Sequence, residues 1–220
     1  MKNILALAVL SFSFSFCYSQ NQGLIINLNT GYAFGCTFEA FHDTGNYYTD
    51  SIKGGIKYGI DVGYQIDRNF SAEVTMLYQN TTMPVEGHSN GNDISQTVNI
   101  QLLWVMAGGT SYFPIKRVEF LVGTYVGVGV YHLKDLAAAS HEYPVRFAWC
   151  VKGGMAYFFN RHVGFNVRAD ALFSTDPLNQ QFSTPGLSNH KSGYSYFFQF
   201  GLTTGFIIRL FETTRKSSKQ

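Results

Sequence analysis

The stretch VEFLVGTYVGVGVY, residues 118–131, decides the fold. Val118, Phe120, Val122, Val126, Val128 and Val130 share one parity, and Glu119, Gly123, Tyr125, Gly127 and Gly129 occupy positions between them. A period of two belongs to a β-strand with unlike faces, because a helix would scatter the same residues around its axis. The pattern recurs on both sides. In 24–35, Ile26, Leu28, Tyr32 and Phe34 oppose Asn27, Asn29, Gly31, Ala33 and Gly35; in 55–66, Ile56, Tyr58, Ile60, Val62 and Tyr64 oppose Lys57, Gly59, Asp61, Gly63 and Gln65. Further alternating segments begin at Phe70, Thr97, Phe147, Val163 and Phe198. The segment 97–113 sets Val98, Ile100, Leu102, Trp104, Met106 and Tyr112 against Asn99, Gln101 and Gly109, although Leu103 and Val105 blur its contrast. The expectation is an all-β chain of eight antiparallel strands.

The connections between these segments alternate in length. Asp67–Asn69, Pro114–Arg117 and Asn160–His162 are tight turns, whereas 36–54, 80–96, 132–145 and 174–193 read as long polar loops. Composition agrees: the chain is 45% hydrophobic and 16% aromatic but only 14% charged, with 22 Gly and 5 Pro, which favours many strands over a helical bundle. Residues 1–19 carry the parts of a secretory signal, with Lys2 ahead of an apolar stretch from Ile4 through Phe16 and small residues before an expected cut at Ser19–Gln20. Phe16 precedes Cys17 where a lipoprotein signal needs a small residue, so no lipid anchor is expected. Domain limits follow as signal peptide 1–19, barrel 20–211 and a short polar periplasmic tail 212–220.

Beyond the signal, no apolar run reaches the length of a membrane helix, so a membrane-embedded form must be a closed barrel. An eight-stranded barrel is just wide enough for side chains to fill. The numerous Phe, Tyr, Trp, Ile, Leu and Val residues could not all fit inside, so the apolar face should meet lipid and the glycine-rich polar face should line the interior. Tyr32, Tyr64, Tyr112, Tyr157, Phe173 and Tyr194 suit the aromatic girdles at the lipid interfaces. On the inward face Lys57, Lys152, Arg168 and Arg209 equal in number Asp61, Glu73, Glu119 and Asp170. Buried charges need partners, so these residues should form an internal ion network, and a wide selective pore would instead carry one dominant sign.

At this point the sequence resembles the small outer-membrane β-barrel family, the eight-stranded up-and-down group that includes OmpX and the membrane domain of OmpA. The resemblance covers 20–211 and rests on architecture. In the last strand Thr203, Gly205, Ile208 and Leu210 match the polar, glycine, hydrophobic, hydrophobic spacing of the signal read by the outer-membrane assembly machinery, with Phe211 directly after. Such signals usually end the chain on an aromatic, whereas Leu210 holds the last hydrophobic position here and a basic tail follows. The resemblance implies a transmembrane barrel in the outer membrane of a Gram-negative cell, in contact with lipid and lipopolysaccharide and monomeric.

Other chemistry is thinly represented. His42, His88, His132, His141 and His190 fall in the expected loops without metal-site spacing, and neither a metal nor a cofactor is expected. His190 and Ser192 are similar to the catalytic pair of a lipid A deacylase barrel, but residues 194–211 hold no carboxylate to complete a triad. Cys36 and Cys150 lie on opposite faces of strands that are not neighbours, so no disulfide is expected. Gly123, Gly127, Gly129, Gly153 and Gly154 sit inside strands with no helix after them, unlike a nucleotide loop. A net charge of +2 offers nothing to nucleic acid. Charge is sorted by side: Arg68, Lys116, Arg117, Arg161, Arg215, Lys216 and Lys219 lie on the turns and tail, and Asp43, Asp50, Glu86, Asp93, Asp135, Glu142 and Asp176 on the loops. The expectation is a non-enzymatic envelope protein presenting four loops to an unknown extracellular ligand, for adhesion, partner binding or envelope integrity. The alternatives are a narrow, porin-like channel for ions or small solutes and, after it, a lipid-modifying enzyme.

Overall fold

The computed structural model describes residues 23–37, 41–43, 46–67, 69–89, 92–134, 145–175 and 196–210. Within them the strands are β1 (Gly23–Ala33), β2 (Cys36–Thr37), β3 (Phe41–Asp43), β4 (Asn46–Ile52), β5 (Gly55–Asp67), β6 (Phe70–Ser89), β7 (Asn92–Ile115), β8 (Val118–Lys134), β9 (Val145–Phe158), β10 (Val163–Thr175) and β11 (Tyr196–Leu210). β1 and β5–β11 form the barrel. Each pairs antiparallel with the next in chain order, and β11 returns to β1 through registers running from Leu24 opposite Leu210 to Ala33 opposite Gly201. Closure leaves the barrel body no free edge, which a spanning sheet requires because hydrocarbon offers backbone groups no partner.

The tight turns lie at one end. Lys116 takes φ 57°, the left-handed region that a two-residue hairpin connection requires. Asn160 Oδ1 accepts from the backbone N–H of His162 and Val163, closing the next turn. The outside of the barrel is apolar: Leu28, Ile56, Val62, Val74, Met76, Val122, Val126, Phe165, Phe200 and Phe206 are all exposed. Trp149, Phe173 and Phe198 form an outward aromatic row across β9, β10 and β11, with ring centroids 4.0 Å and 4.7 Å apart. A barrel with this exterior is built for a bilayer.

Two expectations are corrected. The first concerns β7, whose faces are reversed: Ile100, Leu102, Trp104, Met106 and Tyr112 point into the barrel, and Val105 and Phe113 point out with Gly109. Tyr112 is therefore an interior residue and not part of a girdle. The glycines of β8 explain how the bore accommodates this face. Gly129 lies directly opposite Trp104, and a Cβ there would come within 2.8 Å of the indole; Gly127 likewise lies opposite Met106.

The second concerns the long connections. The regions 36–54 and 80–96 are mostly strand: β6 and β7 stay paired out to Ser89 and Asn92, β4 pairs with β6, and β3 pairs with β4. On the outer face of β6 the apolar residues end at Tyr78. The strand continues for about ten residues, or roughly 30 Å along its own direction. His42, His88 and His132 accordingly lie in β3, β6 and β8. The signal segment, the tail, most of the third and fourth loops, Tyr194, His141, His190 and Ser192 lie outside the described residues.

Candidate functional site

The interior face of each strand supplies one row of a filled bore. Toward the turns, Ile25, Tyr112, Leu121, Ala156, Phe158 and Ile207 form an apolar plug. Arg209 stacks over Phe158, 4.3 Å from the ring centroid, and its guanidinium grips both oxygens of Glu119, one of them at 3.0 Å. The paired fork matches the two carboxylate oxygens and fixes the orientation of both groups.

Above the plug lies the charged layer. Asp61 is fully buried and takes Lys152 on one carboxylate oxygen at 2.8 Å and Arg168 on the other at 2.6 Å. Thr75 donates to the same carboxylate, Asn29 adds a bond at 3.1 Å, and Lys152 also donates to Thr75 at 2.7 Å. Lys57 pairs with Asp170 across a span in which β1 and β11 intervene. Gly201 on β11 leaves the room, since a Cβ there would approach the Asp170 carboxylate to 3.0 Å. Glu73 is held by hydroxyls: Tyr112 at 2.6 Å and Ser71 at 2.5 Å on one oxygen, Tyr125 at 2.7 Å on the other.

The structure thus brings Lys57, Asp61, Lys152, Arg168 and Asp170 into two ion clusters, puts Glu119 with Arg209 near the turn end, and surrounds Glu73 with tyrosines. Sequence reasoning missed Tyr112, Tyr125, Thr75 and Asn29 as partners. Tyr112 was expected in a girdle on the outer face, whereas Tyr125 and Asn29 share the inward parity without a role of their own, as does Thr75, two residues along β6 from Glu73. Toward the loops a second apolar cluster fills the bore, built from Ile52, Leu77, Ile100, Leu102, Trp104, Met106, Tyr131, Cys150 and Leu172 among others. Cys150 is a free, buried thiol. Among the described residues no group of three His, Cys, Asp or Glu could hold a metal ion. In β11, Thr203 and Gly205 face inward and Ile208 and Leu210 carry the outward parity; Phe211 lies outside the described residues.

No protein-family model matches the chain, and no curated protein does. Solved structures do. The outer membrane protein OprG from Pseudomonas aeruginosa superposes with a TM-score of 0.57 at 14% identity, over 89% of this chain and 98% of that one. Neisserial surface protein A superposes with a TM-score of 0.54 at 12% identity, over 85% of this chain and 96% of that one. Identities this low speak to the fold alone. In fold, the chain is a small outer-membrane β-barrel of eight antiparallel strands, closed on itself and apolar on the outside.

Proposed function

We propose that the chain is a non-enzymatic protein of the Gram-negative outer membrane, in which a plugged barrel anchors a surface extension and loops for adhesion, partner binding or envelope integrity. The observation that carries this reading is the state of the bore. Lys57, Asp61, Lys152, Arg168 and Asp170 are at most 4% exposed, and apolar clusters fill the barrel on both sides of them. A solute path would have to be lined by polar groups open to water. The β3–β4–β6–β7 extension supports the same reading, because it adds backbone order well past the apolar belt, where membrane anchoring has no use for it.

Planar-bilayer recordings test it. The purified protein is expected to give no large, steady single-channel currents, and such currents would turn the reading to the channel alternative. Arg168→Ala should raise leak conductance by opening space beside Asp61. A deletion strain assayed for surface binding and envelope permeability then separates a binding role from an integrity role. Within the same proposal, 1–19 is the export signal, Thr203, Gly205, Ile208, Leu210 and Phe211 are read by the assembly machinery, and the barrel works as a monomer among lipopolysaccharide.

A further inference from the structure

Three asparagines gather between the plug and the charged layer. Asn27 and Asn29 lie on β1 and Asn166 on β10; between them β11 presents Gly205, which is opposite both Asn29 and Asn166. A glycine there puts no side chain between the amides. Asn27 and Asn166 are fully buried, yet among the described residues neither the Nδ2 nor the Oδ1 of either finds a protein partner. Asn29 gives its Nδ2 to Asp61 while its Oδ1 is unpaired, and so is Nε of Arg168, two residues along the same face from Asn166.

A buried polar atom without a partner is costly, so several gathered in one place call for a ligand. The atoms include both donors and acceptors, which a simple ion of either sign could satisfy only by half. Charge points the same way: in and below the charged layer the cations Lys57, Lys152, Arg168 and Arg209 equal in number the carboxylates Asp61, Glu73, Glu119 and Asp170, and the remaining inward cation, Arg146, lies toward the loops, away from the asparagines. Water donates and accepts, and a buried water typically takes about two to four polar partners.

We infer that Asn27, Asn29, Asn166 and Nε of Arg168 form a built site for internal water beside Gly205, sealed below by Ile25, Ile207 and Phe158 and above by the apolar cluster around Trp104. The water completes the solvation of Arg168 and so belongs to the support of Asp61. Sealed at both ends, it exchanges slowly with bulk.

Nuclear magnetic resonance on the full mature protein, refolded in detergent micelles, tests this without a variant. Cross-relaxation from water to the side-chain amide protons of Asn27 and Asn166 is expected, with the sign of long-lived water. Its absence at both residues would overturn the site. Replacing chloride by bromide should leave both amide resonances unmoved, and a shift would assign the site to an anion instead. Asn166→Leu supplies an independent readout: the urea midpoint should fall, because the water loses a partner, whereas a rise would mean that the amide had been buried dry.

Discussion

Removing the carboxylate of Asp61 would strand two cations at once, because Lys152 and Arg168 both direct their charge to it. Breaking a buried pair from one side typically costs about 3–5 kcal/mol, since the remaining charge stays desolvated. Asp61→Asn should therefore lower unfolding stability by about that amount, read from equilibrium urea titrations in lipid or detergent. Glu73 provides the contrast. Its partners are the hydroxyls of Tyr112, Tyr125 and Ser71, and these can turn toward an amide oxygen or toward one another. Glu73→Gln should cost less than Asp61→Asn, and equal losses would refute the difference drawn between the two carboxylates. On the outer face Val122 is half exposed, opposite Gly153 and between Phe120 and Val126 along β8. Val122→Arg should destabilise by about 2–4 kcal/mol if that row lies at mid-membrane depth.

Within β7 the sequence offers hydrophobic residues to both faces, so alternation alone does not say which one turns inward. The strand beside it does. Gly123, Gly127 and Gly129 empty the interior face of β8 opposite Thr110, Met106 and Trp104, and large side chains must fill the space they leave. Gly129→Val should overpack that row at a cost of about 1–3 kcal/mol, with part of the loss recovered by Trp104→Ala in the double variant. A neutral Gly129→Val would place Trp104 outside. The inward charges were legible for a simpler reason: parity along a strand fixes the face. Their pairing was not, because Lys57 meets Asp170 across two intervening strands and depends on stagger that no single strand encodes. The extension was hidden because sheet in water needs no apolar face, so polar residues dominate Asn80–Ser89 and Asn92–Thr97, and the contrast that marks the membrane segments resumes only at Val98. Replacing 83–97 by a tight turn should leave the barrel folded while removing the surface binding proposed for it, as a cell-binding assay on intact bacteria would measure.

At the scale of the whole molecule, closure makes the eight-stranded body one cooperative unit, since each strand is bonded to two others and none can leave alone. Detergent must break two complete ladders to release any strand. The unheated protein is therefore expected to run faster on a denaturing gel than the boiled one, compact against extended. Proline substitutions can locate the body that gives this behaviour. Thr204 sits in β11 opposite Thr30 of β1 and Val167 of β10, at the seam where the last strand meets the first. Proline there removes a backbone donor and places its ring in a strand paired on both sides, a position that sheets do not tolerate. Thr204→Pro should abolish the fast band. Gln96 pairs with Val85 in the extension, beyond the point at which β8 begins to pair with β7 at Asn99. Gln96→Pro should keep the fast band, because the ladders that resist detergent lie elsewhere. If both variants lost it, the extension would have to be part of the same cooperative unit as the barrel; if Thr204→Pro kept it, the seam between β1 and β11 would not be what closes the structure.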